Sequence, residues 1–199
     1  MNTLEPSDER QRLLSAASLA DIVACTVGEF APLPVAGTLT GDDGSVAVPP
    51  GWYLAAPGDN AEQPVRVAVT GHRSRGGWEG CDTLAAFSFT GIAATDVAID
   101  HGACTLRDLG AAGVTTRILD TPVTPDACGV RSTGYFTAAR LRMWGQFTTY
   151  IAGSECPGMG RLLQHNLFVV SQRRTHLRRD ITYLSDTVAN SFGALLDSR

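Results

Sequence analysis

The stretch from Ser18 to Trp52, SLADIVACTVGEFAPLPVAGTLTGDDGSVAVPPGW, constrains the fold more than any other part of the chain. Pro32, Pro34, Pro49 and Pro50 cannot continue a helix, because each lacks an amide hydrogen and has a fixed φ. Residues 31–40 are therefore expected to be extended. Asp42-Asp43-Gly44 is a turn signal between two short apolar runs, so the extended chain is expected to double back as a hairpin. Ahead of it, Ser18 and Asp21 have the spacing of a capping box, which predicts a short helix through Ile22 and Val23 ending near Gly28. Pro49-Pro50-Gly51 then forms a rigid corner that delivers Trp52 into a strand over 52–56.

Downstream, the alternation of Val65, Val67 and Val69 with Arg66, Ala68 and Thr70 predicts a strand with one wet face. Residues 84–92 read as a strand with Phe87 and Phe89 on one side. Thr95 to Leu109 reads as a helix interrupted by Gly102, and Val114 to Leu119 as a strand. Residues 134–143 alternate, Gly145 breaks the pattern, and Phe147, Thr149 and Ile151 resume it. Leu162 to Ser171 is a core strand. Ile181, Leu184, Val188, Phe192 and Leu195 recur at three-and-four spacing, so a final amphipathic helix is expected, with Asp180 as its N-cap. Residues 1–17 are polar and expected to be flexible, with one domain over 18–199. Antiparallel strands with helices at both ends make an α+β chain.

Charge narrows the partners. The net charge is −4, which speaks against a general nucleic-acid binder. Residues 1–64 hold nine acids against Arg10 and Arg12, whereas residues 127–179 hold eight arginines and only Glu155. Two such segments are expected to attract each other, or to leave a positive face for an anionic partner. All basic side chains are arginine. No run of about 20 apolar residues is present, so no transmembrane segment is expected.

Five cysteines stand at 25, 81, 104, 128 and 156, without a C-x-x-C pair. Cys128 and Cys156 flank the expected hairpin in Gly/Pro-rich turns and are the first candidates for a disulfide. Its loop would contribute about 3–4 kcal/mol in the chain-entropy model. Cys81 with Cys104 is the second pair. Disulfides imply an oxidising compartment. The N-terminus has no apolar core of a signal peptide. Ile22-Val23-Ala24-Cys25 has the outline of a lipoprotein processing site, but Asp21 abuts it and the preceding residues read as a helix start.

Catalytic signals are sparse. There is no G-x-S-x-G elbow, and Gly71-His72-Arg73-Ser74-Arg75-Gly76 has the wrong spacing for one. Ser154 with His165 or His176 is one conceivable nucleophile–base couple, and Cys104 with His101 another. The Asp42-Asp43 pair reads as a solvated turn. Arg73, Arg75, Gly76 and Gly77 could cradle an anion but lack the ending of a P-loop. No cofactor and no metal is implied. The stronger candidates are cationic. Arg140, Arg142 and Trp144 are spaced to share one strand face, where guanidinium and indole could hold an anionic headgroup. Arg173, Arg174, Arg178 and Arg179 crowd the start of the last helix, where cations are disfavoured unless an anion offsets them.

Taken together, Ser18-Leu19-Ala20-Asp21-Ile22-Val23, the Val48-Pro49-Pro50-Gly51-Trp52 corner, the strand from Asn166 to Val170 and the helix from Asp180 resemble the actinobacterial LpqN/LpqT lipoprotein family, over roughly residues 18–197. The resemblance implies a PsbP-like α/β/α sandwich, a curved antiparallel sheet flanked by helices on both sides. It implies a non-enzymatic, extracytoplasmic accessory protein of the cell envelope that binds a lipid, a glycolipid or an envelope protein. An intracellular or phage-encoded interaction module of the same fold is the alternative, and a small Ser/His hydrolase the third reading.

Overall fold

A computed structural model describes residues 17–33, 47–55, 65–72, 77–93, 95–121 and 127–197. The expected Asp42–Gly44 hairpin turn, the Arg73–Gly76 segment and residues 1–16 lie outside the described residues. Four helices and eight strands are described: α1 (Leu19–Ala24), β1 (Gly28–Leu33), β2 (Trp52–Ala55), β3 (Val65–Thr70), β4 (Gly80–Thr90), α2 (Thr95–His101), α3 (Cys104–Asp108), β5 (Ala112–Leu119), β6 (Ala127–Ala138), β7 (Leu141–Ala152), β8 (Gly160–Val170) and α4 (Arg178–Asp197).

The strands form one open antiparallel sheet in the order β2-β3-β4-β8-β7-β6-β5, and the chain is α+β. β1 lies off that path. It pairs with the second half of β4, Leu33 opposite Ala86 and Gly28 opposite Thr90, while β3 pairs with the first half, Thr70 opposite Gly80 and Val65 opposite Ala85. Alternation along each strand sends successive side chains to opposite faces. Leu84, Ala86, Tyr150 and Leu163 therefore meet Val188, Phe192 and Leu195 of α4. Phe87, Phe89, Val130, Ile151 and Leu162 point the other way, toward Leu19, Val23 and Ala98 of α1 and α2. Leu106 and Leu109 cover Phe136 and Phe147 beside them.

The sequence signals for the first and last helices hold. Ser18 Oγ accepts from the Asp21 amide at 3.2 Å, and the Asp21 carboxylate accepts from the Ser18 amide at 2.9 Å. Ile181, Leu184, Val188, Phe192 and Leu195 are all buried on α4. Burying them contributes about 10 kcal/mol as an upper bound. Asp180 is not the N-cap. It lies in the first turn of a helix that begins at Arg178, and its carboxylate accepts from Trp52 Nε1 at 3.0 Å.

Two glycines move element boundaries. The expected helix over 95–109 is split in two because Gly102 packs against β6, where a Cβ would meet Val130 Cγ2 at 2.8 Å and the Ala98 carbonyl at 2.9 Å. Gly145 does not break the hairpin. It sits within β7 opposite Gly134, and a Cβ there would meet Phe136 Cε1 at 2.9 Å, so it makes room for aromatic rings. The reversal falls instead at Ala139-Arg140, both with positive φ (49° and 63°).

The expected disulfides are not formed. All five cysteines are free. Cys128 is buried on β6 against α2, where its thiol is hydrogen-bonded to Thr95, whereas Cys156 lies exposed in the β7–β8 turn. Cys104 Sγ donates to the Ala17 carbonyl at 3.4 Å. Cys81 is half-buried next to Asp82, and burial first, then that carboxylate, push its thiol up to about 11. Ile22, Val23 and Ala24 belong to α1, Cys25 is its C-cap, and Val23 is fully buried.

Candidate functional site

The α4 face of the sheet is not uniformly apolar. A polar row crosses it. Arg117 on β5 stands directly opposite Arg131 on β6, Arg131 opposite Thr148 on β7, and Thr148 opposite His165 on β8. Beyond His165 the row ends in a buried ionic cluster. Asp82 Oδ1 lies 2.5 Å from His165 Nε2, and Asp82 Oδ2 accepts from Arg66 Nη2 at 2.5 Å. Asp82 and His165 are fully enclosed by sheet and helix. At the other end the row opens to solvent.

That opening is a cleft of about 790 Å³ between the first half of α4 and strands β5–β7. Its walls carry four arginines, Arg117 and Arg131 from the sheet and Arg174 and Arg178 from the approach to α4, with Asp186 as the facing carboxylate among the described residues. Thr115, Thr133 and Thr182 supply hydroxyls, and Trp144 and Ile181 the apolar floor. Gln146 Nε2 donates to Ser185 Oγ at 2.9 Å and joins sheet to helix at the back.

The positive charge of the cleft is only partly compensated, by Asp186. Like charges directly opposite each other on adjacent strands are destabilising, and Arg117 and Arg131 are such a pair. Arg131 Nε donates to Thr148 Oγ1 at 3.1 Å, so its guanidinium cannot swing freely away. Burial, more than the neighbouring charges, pushes the Arg131 guanidinium below its ordinary value, and it also pushes the Tyr150 phenol up despite the hydrogen bond with Arg131. An anion in the cleft would offset the repulsions among the guanidiniums. Water and a lone carboxylate relieve them only in part.

The residues singled out in the sequence divide between two places. Trp144 lies in the cleft floor, nearly fully buried, and Arg174 covers it with Cζ 4.6 Å from the ring. Arg174 Nη1 also donates to Tyr135 Oη at 2.6 Å, and Arg142 lies over the same tyrosine, with Cζ 5.3 Å from the ring centroid. Arg142 and Trp144 thus share a strand face. Arg140 does not share it, because it occupies the β6–β7 turn, not a strand. It lines a second, smaller depression of about 590 Å³ with Arg142, Gln172 and Arg173, where Arg173 Nε donates to Glu79 Oε1 at 2.8 Å.

Arg117, Arg131, Thr115 and Asp186 were not among the sequence candidates. The alternation Arg131-Thr133-Tyr135 carried a signal, but the partner of Arg131 depends on the β5–β6 register, which no local motif states. The expected attraction between the acidic N-terminal third and the later arginines has no counterpart among the described residues. Asp21 caps α1, and Glu29 Oε2 accepts from Thr90 Oγ1. The candidate hydrolytic couples are not assembled. Ser154 pairs with Gly91 at the end of the sheet and its Oγ accepts from the Cys156 amide, while His165 is enclosed under α4 and His176 is exposed on the β8–α4 connection. Cys104 is bonded to Ala17, and His101 is exposed at the end of α2.

No family model matches the chain, and no curated protein does. A comparison with solved structures finds LpqN, a protein involved in cell envelope biogenesis of Mycobacterium tuberculosis, with a TM-score of 0.54 over 88% of this chain and 96% of that one. The fold is LpqN-like. At 15% identity the likeness is one of architecture. Among the described residues no helix is long and apolar enough to cross a membrane.

Proposed function

We propose that this is a non-enzymatic binding protein of the bacterial cell envelope, and that its cleft between α4 and β5–β7 holds the anionic headgroup of a lipid or glycolipid. The observation that carries the reading is the pair Arg117 and Arg131, directly opposed on the sheet and joined by Arg174 and Arg178 around one cleft. Planar guanidiniums match the paired oxygens of phosphate, sulfate or carboxylate, threonine hydroxyls suit a polyol, and Trp144 supplies an apolar surface. The LpqN-like architecture and that protein's involvement in envelope biogenesis support the setting.

The test is calorimetric titration with dihexanoyl phosphatidylglycerol below its micelle concentration, with glycerol phosphate, and with dihexanoyl phosphatidylcholine as the zwitterionic control. Both anionic probes should bind, and Arg117→Glu should abolish the heat. Equal binding of the choline lipid, or unchanged titration by the variant, would refute the assignment.

The five free cysteines favour a second reading, an intracellular interaction module of the same fold. Thiol titration of protein purified without reductant and then unfolded separates the two. Five reactive thiols support the intracellular reading, and three or fewer support export and oxidation.

A further inference from the structure

The turns at one end of the sandwich converge on a single basic surface. β3 ends and β4 begins there, with Thr70 opposite Gly80, and Gly80 lies opposite Val169 near the end of β8. The Val170 amide donates to the Glu79 carbonyl, and Val170 lies opposite Met143 at the start of β7. Three connections therefore emerge together: the β3–β4 turn, the β6–β7 turn and the link from β8 into α4. Among the described residues they present Arg140, Arg142, Arg173, Arg174, Arg178 and Arg179, all exposed. The carboxylates of these segments are Glu79, bonded to Arg173, and Asp180, bonded to Trp52. On a chain of net charge −4 this end is sharply polarised.

The same end exposes an aromatic ring. Trp78 is 41% exposed, packs edge-on against His72 at 5.4 Å, and adjoins Glu79, which holds Arg173. The other tryptophans, Trp52 and Trp144, are buried. Basic side chains around an exposed indole fit the boundary between lipid headgroups and acyl chains, where guanidiniums meet anionic phosphates and the amphipathic ring settles at headgroup depth. A soluble polyanion would use the arginines and leave the indole idle.

We infer that this end docks onto an anionic bilayer surface, Trp78 inserting at headgroup level and Arg140, Arg142 and Arg173 contacting lipid phosphates. Docking in this pose brings the Arg174 and Arg178 side of the cleft to the membrane, so a headgroup could pass from bilayer to cleft without crossing bulk water. The surface is separate from the cleft in its key residues, since Trp78, Arg140 and Arg142 do not line it.

Flotation with phosphatidylcholine vesicles, with and without phosphatidylglycerol, tests the inference, with tryptophan emission as the second readout. Protein should float only with the anionic vesicles, lose that binding as salt rises, and shift its emission to shorter wavelength. Trp78→Phe should remove the shift, which separates it from any change at Trp144 in the cleft floor. Arg140→Glu combined with Arg142→Glu should lower vesicle partitioning by about tenfold or more. Trp78→Phe and the salt series carry the test if that double variant folds poorly. Absence of flotation at low salt overturns the inference, as does an equal emission shift with soluble polyphosphate. If Arg117→Glu abolishes flotation while the Arg140/Arg142 variant floats like wild type, the cleft alone captures lipid: this inference falls and the cleft reading survives. If glycerol phosphate fails to bind while flotation and the emission shift persist, the cleft reading falls and the docking surface stands.

Discussion

Removing one of the two opposed arginines should make the anion-free protein more stable and the anion-bound protein less so. The perturbation is Arg117→Gln, which keeps an unbranched polar side chain, shorter than arginine, and deletes its charge. Arg131 is fixed by Thr148 and partly desolvated, so the repulsion it feels is not relaxed by moving away. Cross-strand pairs contribute about 0.2–1 kcal/mol, and the exposure of Arg117 places this one near about 0.5 kcal/mol. In a domain of this size 1 kcal/mol moves the melting midpoint by about 2–4 °C, so the variant should melt about 1–2 °C above wild type in dilute chloride buffer. Added sodium chloride should erase the difference by screening. With dihexanoyl phosphatidylglycerol at a hundred times its Kd, wild type gains about 2.7 kcal/mol and the order of the two midpoints reverses. Scanning fluorimetry across both series reads the result. A variant that melts below wild type in dilute chloride would refute the repulsion argument, and one that keeps the full lipid-induced shift would refute the role of Arg117 in the cleft.

Other consequences are quicker to check. Asp82→Asn should cost about 3 kcal/mol or more in urea unfolding, because it removes the buried carboxylate charge that joins Arg66 and His165; a loss below about 1 kcal/mol would show that the cluster is not desolvated. Phe192→Ala should cost about 3–5 kcal/mol, since the ring is fully buried and stacked on Tyr150 at 5.2 Å, and a loss no larger than that of a surface substitution would mean that α4 is not docked as described. Iodoacetamide at pH 8 followed by peptide mass spectrometry should label the exposed Cys25 and Cys156 well before Cys81 and the buried Cys128. With its thiol raised to about 11, Cys81 holds about a thousandth of its population as thiolate at that pH. Labelling of Cys81 as fast as Cys25 would contradict its raised thiol.

The elements that announced themselves in the sequence are those governed by local rules. The Ser18–Asp21 box and the α4 periodicity each fix a helix without reference to distant residues, and both helices form, although the first ends at Ala24 instead of near Gly28 and the last starts at Arg178, ahead of Asp180. The alternation of β3, β4 and β8 likewise needs only a sheet with two covered faces. What stayed hidden depends on contacts far apart in the chain. Gly102 and Gly145 carry the same local signal, a missing side chain, yet one splits a helix and the other continues a strand, because each is fitted to neighbours from other elements. The Arg140 reading failed for a related reason. Two-spacing puts residues on one face only when both lie on the strand, and the reversal at Ala139-Arg140 has none of the glycine or asparagine that usually marks such a turn. The cleft was legible in half, its Trp144 and Arg174 by parity and clustering, its Arg117–Arg131 pair not at all, since register across β5 and β6 is set by the whole sheet.

β4 is shared by two lodgers. Its first six residues hold β3 and its last five hold β1, both along one border of the strand. A slip of either by two positions would run it into the other, so each blocks the other's sliding and neither requires a long turn to fix its alignment. The interval between them can therefore lengthen or shorten across relatives without disturbing where Trp52 meets Asp180, and insertions in such relatives should gather there.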